Sequence, residues 1–231
     1  MMDYILDGFI NAFKMIVSLD REMIKIILVS VRVSMISTLL STLIGLPVGF
    51  YVAIKDFRGK QLVITILNTL LALPTVVIGL LVYSFISRRG PLGGMGLLYT
   101  PWAMVIGQMI LSFPIIASLS LSAIQGIDKR VEKTALTLGA SKLQTAFFLV
   151  AEGRYVIFSA IIAGFGRVFA EVGVSMMLGG NIRGYTRNIT SAIALETGKG
   201  EFALGMALGI ILLTIAFSIN IIFRCLQKRR S

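Results

Sequence analysis

The sequence predicts an all-α, polytopic membrane protein with about five transmembrane helices. Three observations predict it. Of 231 residues, 56% are hydrophobic and 14% charged, against about 25% charged in ordinary soluble domains. The uncharged runs have lengths that suit a bilayer, which takes about 20 apolar residues per helix at about 1.5 Å rise each. The basic residues gather between these runs instead of forming a stripe along one of them.

The first span is placed at 33–54, where Val33 to Ile54 carries no charge and Arg32 stands just before it. The second is placed at 61–87, interrupted only by Pro74, and the third at 102–122, inside the uncharged stretch Gly90–Ile127. The fourth, 155–178, contains Arg167 and Glu171 among apolar and small residues, and the fifth, 202–223, ends at Arg224. Pro47 and Pro74 predict kinks. Gly45/Gly49 and Gly205/Gly209 are GxxxG pairs, whose small residues let helix backbones approach in lipid. These spans make 24–224 one transmembrane domain, with a basic tail at 225–231. In segment 1–23, Ile5, Phe9, Phe13 and Ile16 recur at helical spacing with Asp3, Asp7, Asn11 and Lys14 between them. That pattern predicts an amphipathic helix, lying on the membrane surface or packed against the spans.

The net charge of +11 and pI near 10.2 would suggest nucleic acid in a soluble protein. The placement of the charge excludes that partner, because no basic stripe alternates with stacking aromatics. Loops 55–60 and 122–154 and the segment from Arg224 onward hold twelve basic residues, and the alternate segments hold seven. The count places the N-terminus outside and the C-terminus in the cytoplasm of a multi-pass protein of the cytoplasmic (inner) membrane. Arg88, Arg89, Arg183 and Arg187 stand against the bias. Asp3 and Asp7 in place of a basic leader argue against a cleaved signal peptide. With no histidine and only Cys225, Cys/His zinc sites, histidine triads and an internal disulfide are excluded, and no metal ligand is expected.

Arg167 and Glu171, four residues apart, would each cost about 2.5–3.5 kcal/mol facing lipid, so they are expected to face protein or water. Two readings follow. The pair fastens its helix to neighbours, or Arg167 lines an anion pathway that Glu171 tunes. After that span, Leu178 to Arg187 brings glycines, Asn181, Arg183 and Arg187 together, either as a solvated loop or as a mouth for an oxyanion.

The cytoplasmic loop 123–154 carries the most informative pattern. Asp128 is suited to cap a helix from Lys129 to about Leu138, with Glu132 in its first turn. Gly139 is suited to end that helix at C′, and Ser141 to cap a second helix whose apolar face includes Leu143, Ala146, Phe147 and Val150. Such a hairpin projects apolar side chains toward a partner's groove.

The run Val131-Glu132-Lys133-Thr134-Ala135-Leu136-Thr137-Leu138-Gly139-Ala140-Ser141 resembles the EAA loop of binding-protein-dependent ABC importer permeases. Anchored on Gly139, Lys133-Thr134-Ala135 take the Glu-Ala-Ala places, with Glu132 one place early. Leu149 takes the Ile place, and Ala151-Glu152 replace Leu-Pro. The run Phe169 to Ile182 resembles the molybdate, tungstate and sulfate branch, and Asn68 to Gly79 is most similar to tungstate permeases. The resemblance implies a type I importer permease (MetI-like) fold, paired as a homodimer. It implies tungstate as cargo, with molybdate or sulfate as alternatives. Its further partners would be a cytoplasmic ATPase dimer and an extracytoplasmic oxyanion-binding protein.

The coupling contacts implied are Glu132, Lys133, Ala135, Leu138, Gly139, Ala140, Ser141, Leu143 and Phe147, in loop 128–154. Arg167, Glu171 and Asn181 are candidates for the pathway. The chain has no GxxxxGK[ST] motif, and Gly198-Lys199-Gly200 lacks the spacing and the hydroxyl. No enzymatic activity and no cofactor are expected of it, ATP belonging to the partner. A secondary transporter is the alternative class. It would use the buried charges, but it has no need of the cytoplasmic hairpin, and no internal repeat is visible. A membrane anchor without transport would not carry those charges.

Overall fold

A computed structural model describes residues 10, 13, 14, 16–18 and 20–228, and among the described residues there is no strand. The helices are α1 (Arg21–Ile54), α2 (Lys60–Leu71), α3 (Thr75–Ile86), α4 (Pro101–Gln125), α5 (Lys129–Thr137) and α6 (Lys142–Glu152). They continue with α7 (Arg154–Phe169), α8 (Gly173–Gly179), α9 (Ile189–Lys199) and α10 (Phe202–Lys228). Asp3, Ile5, Asp7, Phe9 and Asn11, which carry much of the amphipathic pattern, lie outside the described residues. So do Arg229 and Arg230 of the tail. Phe13 and Val17 are described, and both are exposed.

Among the described residues, three helices are long and apolar enough to cross a membrane: Arg21–Ile54, Pro101–Gln125 and Phe202–Ile222. The number rises to five if two bent pairs, Lys60–Leu71 with Thr75–Ile86 and Gln144–Glu152 with Arg154–Phe169, each count as one span. Helix α1 starts before the expected 33 because Asp20 caps it, its Oδ1 accepting the backbone N–H groups of Glu22 (2.8 Å) and Met23 (3.0 Å). It then runs unbroken through Pro47. Pro74 separates α2 from α3, since it has no N–H to continue a helix. The expected continuous span 155–178 is corrected. Helix α7 ends at Phe169, residues 170–172 are not helical, and α8 begins at Gly173.

The chain divides into two compact units. The first comprises Met1–Ser37, Pro74–Gln108 and Gly166–Ser231. Its buried core includes Met23, Ile26, Met104, Val174, Leu178, Ile189 and Leu208. Polar side chains are buried there too. Gln108 accepts from Ser37 (3.3 Å) and donates to Ser175 (3.3 Å), while Ser30 accepts the Ile189 N–H (2.7 Å). Helices α3 and α8 approach closely at Gly79, where a Cβ would lie 2.9 Å from the Met177 sulfur.

The second unit comprises Thr38–Leu73 and Met109–Phe165. Gly45 and Gly49 of α1 meet α4 backbone: added Cβ atoms would lie 3.2 Å from the Phe113 oxygen and 2.4 Å from the Ala117 oxygen. Ser41 and Ser112 share a 2.6 Å hydrogen bond on that contact. Ala123, Ile124, Leu149 and Ile157 form an apolar cluster, with Phe50, Val131 and Ile161 packed against it.

Candidate functional site

The α5–α6 hairpin is built from local signals. Asp128 caps α5 by accepting the Arg130 N–H (2.9 Å). Gly139 has φ +86°, and the N–H groups of Gly139 and Ala140 donate to the carbonyls of Leu136 (3.1 Å) and Ala135 (3.0 Å). These two bonds are the Schellman ending that a C′ glycine permits. Ser141 and Gln144 then close a capping box on α6, Ser141 N–H donating to Gln144 Oε1 (2.7 Å) and Gln144 N–H to Ser141 Oγ (3.3 Å).

All nine candidate coupling residues fall on this hairpin. Glu132, Lys133 and Ala135 lie on α5; Leu138, Gly139, Ala140 and Ser141 form the turn; Leu143 and Phe147 lie on α6. Leu149 anchors the hairpin in the apolar cluster. Leu136, Leu138, Phe147 and Phe148 are exposed, Leu138 at 82%. With its ends capped and one side anchored, the hairpin presents large apolar side chains without a covering element among the described residues. A groove of about 510 Å³, lined by Asp56, Lys60, Asp128 and Glu132 among others, adjoins its base.

In the first unit, the Arg167 Nη1 donates to Glu171 Oε2 at 2.8 Å. The Glu171 side chain is 4% exposed and that of Arg167 39%, so the acid is the buried partner. The two do not stand on one helix, although they lie four residues apart in one expected span, because Glu171 lies in the break after α7. There its Oε1 accepts the Val174 N–H (3.3 Å) at the start of α8, and its carbonyl accepts from Thr190 Oγ1 (2.8 Å). The acid thus joins the end of α7, the beginning of α8 and the first turn of α9. Arg167 uses one of its five N–H donors on Glu171 and is open enough for others to meet an anion.

Asn181 has φ +51° and spends its amide on α9: its Oδ1 accepts from Ser191 Oγ (2.9 Å), and its Nδ2 donates to the Ser191 carbonyl (3.3 Å). It does not contact Arg167 directly. The two are linked through the start of α9, where the Asn188 side chain caps the Ser191 N–H (2.9 Å) and accepts from Thr190 Oγ1 (3.2 Å). Sequence reasoning missed Asn188, Thr190 and Ser191. Their signal was the spacing Asn188-x-x-Ser191, a cap pattern at the start of a helix.

Arg183 and Arg187 do not form an open anion mouth. Arg183 binds Glu22 with both arms of its fork, its Nε at 2.7 Å from Oε1. Arg187 lies 3.4 Å from Glu22 and 3.7 Å from Glu196, which also pairs with Lys199 at 3.2 Å. Glu22 holds Arg183 above even the usual guanidinium range, so it stays charged.

The model for "Binding-protein-dependent transport system inner membrane component" matches residues 45–231. The tungstate uptake system permease protein of Peptoclostridium acidaminophilum is 40% identical over 98% of this chain and 100% of its own length. That of Campylobacter jejuni subsp. jejuni is 41% identical over 98% of this chain and 95% of its own length. A chain of the MetNI methionine ABC transporter, solved in an inward-facing form, superposes with a TM-score of 0.73 at 17% identity, covering 91% of this chain and 96% of its own.

Proposed function

The chain belongs to the family of binding-protein-dependent transport system inner membrane components, and from that premise we propose that it is the permease subunit of an ATP-driven importer of tungstate. Its fold is the all-helical, MetI-like fold of type I ABC importer permeases. The observation that carries the cargo is the identity of 40% and 41%, over 98% of this chain, with two tungstate uptake permeases.

In this reading the chain has no ATP site of its own and works as a homodimer on a cytoplasmic ATPase dimer. An extracytoplasmic binding protein delivers the oxyanion. The N-terminus lies outside and the C-terminus inside. The α5–α6 hairpin is the coupling element: Leu138 and Phe147 enter a groove of the ATPase, and Glu132, Lys133 and Ser141 supply polar contacts around them. Its caps support that role, since a lever must move as one piece. Arg167 faces the pathway and meets the passing anion with the N–H groups that Glu171 leaves free. Glu171 orients Arg167 and keeps the site from holding a dianion too tightly to release it.

The test is ATP-dependent uptake into proteoliposomes containing this chain, its ATPase and its binding protein, with tungstate, molybdate and sulfate compared. Uptake of tungstate that requires ATP is the expected result. Preference for molybdate would move the cargo within the same branch, and uptake that survives without the ATPase would replace the importer with a secondary transporter. Arg167→Gln is expected to slow uptake while assembly persists. Loss of assembly instead would make the residue structural.

A further inference from the structure

A second place in the first unit has the chemistry of an anion site, and the function proposed above gives it no role. A cavity of about 530 Å³ lies where the chain leaves α3 and turns toward α4, lined by Tyr83, Ile86, Ser87, Arg88, Arg89, Gly93, Gly96, Leu98 and Tyr99. That volume is typical of small-ligand pockets, which run to about 300–1,000 Å³. Its shape depends on a tight fold-back. Leu92 N–H donates to the Phe85 carbonyl (2.9 Å) and Gly90 N–H to that of Ser87 (2.7 Å). A Cβ at Gly90 would lie 2.3 Å from the Ser84 oxygen and one at Gly93 2.5 Å from the Ser87 oxygen, so the turn admits only glycine at both.

Among the described residues, no carboxylate compensates the charges in this cavity. Of the loop arginines that stand against the basic-residue bias of the chain, Arg183 and Arg187 are accounted for by Glu22 and Glu196. Arg88 and Arg89 form no ion pair with any described carboxylate. Tyr99, hydrogen-bonded to Tyr83, has its phenol pushed above the usual range and remains a neutral O–H group. Two guanidinium forks beside phenolic and seryl hydroxyls suit a tetrahedral oxyanion. Phe85, Leu92, Met95, Tyr99 and Trp102 nearby in sequence are all exposed. Exposed aromatic and apolar side chains where helices enter and leave the membrane mark the headgroup level.

We propose that this cavity binds a phosphate-type oxyanion, and that in the membrane its occupant is the headgroup phosphate of an anionic phospholipid. Arg88 and Arg89 hold the phosphate oxygens, the hydroxyls of Ser87 and Tyr99 complete the shell, and Ile86 and Leu98 meet the apolar part of the lipid.

The full chain in nanodiscs of mixed phosphatidylglycerol and phosphatidylcholine tests it, with retained lipid read by native mass spectrometry. Wild-type chain is expected to keep phosphatidylglycerol selectively. Arg88→Gln with Arg89→Gln should lower that retention about a hundredfold, at about tenfold for each lost charge-assisted contact. Lys55→Gln with Arg58→Gln, which removes the same charge from another exposed loop, should retain lipid as wild type does. The paired Arg→Lys variant should recover part of the loss. A second arm, in phosphatidylcholine alone, measures phosphate, sulfate and tungstate binding by equilibrium dialysis. Binding there that the Arg→Gln pair abolishes, without selective lipid retention, would keep the oxyanion site and overturn the lipid as occupant. Equal behaviour of wild type and the Arg→Gln pair in both arms would overturn the site itself. Neither readout depends on transport.

Discussion

In the α5–α6 hairpin, polar groups close local turns and the large apolar side chains Leu136, Leu138, Phe147 and Phe148 are left exposed. From the end of α7 to the start of α9 the arrangement is reversed. Glu171, Asn188, Thr190 and Ser191 are buried and hydrogen-bonded to one another or to backbone. Bilayer physics explains the second case, because a polar group without a partner costs several kcal/mol in apolar surroundings. It does not explain the first. In the coupling role proposed above, exposed leucine and phenylalanine on a pair of capped helices find their stabilisation in contact with the ATPase. In that reading one region is organised to satisfy itself, and the other to be completed.

The largest effect that would sharpen this contrast is loss of coupling without loss of folding. Leu138→Asp with Phe147→Asp is expected to lower ATP-dependent uptake by more than tenfold, since each apolar side chain contributes about 1.5–3 kcal/mol when buried against a partner. The unfolding midpoint of the chain should stay unchanged, because neither side chain is buried in it. Normal uptake by this variant would break the comparison.

Glu171→Ala should act in the opposite sense, on the fold first. It removes the acceptor for Arg167 and for the Val174 N–H together. Breaking a buried pair costs about 3–5 kcal/mol, and the 39% exposure of Arg167 puts this site near the lower end. Reversible unfolding of the purified chain would measure it. A variant as stable as wild type would mean that Glu171 does not join these helices.

These regions also differ in how far the sequence discloses them. The hairpin was legible to the residue, because Asp128, Gly139 and Ser141 act on backbone groups within three residues of themselves. The break after Phe169 was not. Residues 155–178 read as one apolar run, and what holds the break after α7 is Glu171, whose carboxylate accepts from α8 and whose backbone carbonyl accepts from Thr190 of α9, a tertiary cause that no local pattern carries. The GxxxG pairs teach the same point. Gly45 and Gly49 meet α4 backbone, but nothing lies within 4 Å of a Cβ at Gly209. The motif marks a permitted approach, and the fold decides whether a partner uses it. Ser30, Ser34, Ser37 and Ser41, buried along α1 at helical spacing, were hidden because a span was read only as uncharged.

Gly139→Ala gives a smaller effect and isolates the hairpin's own geometry. Nothing lies within 4 Å of the added Cβ, so crowding contributes nothing. What remains is the cost of holding alanine at φ +86°, about 1–2 kcal/mol. Uptake should fall further than stability does, since a loosened turn lets α5 and α6 move separately. Equal losses of both would mean that the hairpin transmits nothing beyond its folding.

The smallest effect tests whether burial or mere pairing distinguishes the self-satisfied region. Arg183 and Arg187 share one acid, Glu22, but their side chains are 73% and 12% exposed. Arg183→Gln should leave the unfolding midpoint where it was, because an exposed pair exchanges one hydrated state for another. Arg187→Gln should cost about 1–2 kcal/mol, since it leaves Glu196 buried with less compensation. Raising the salt concentration should mimic the first substitution and not the second. If both variants lost the same stability, pairing alone would organise this region, and the distinction from the hairpin would rest only on where each places its apolar side chains.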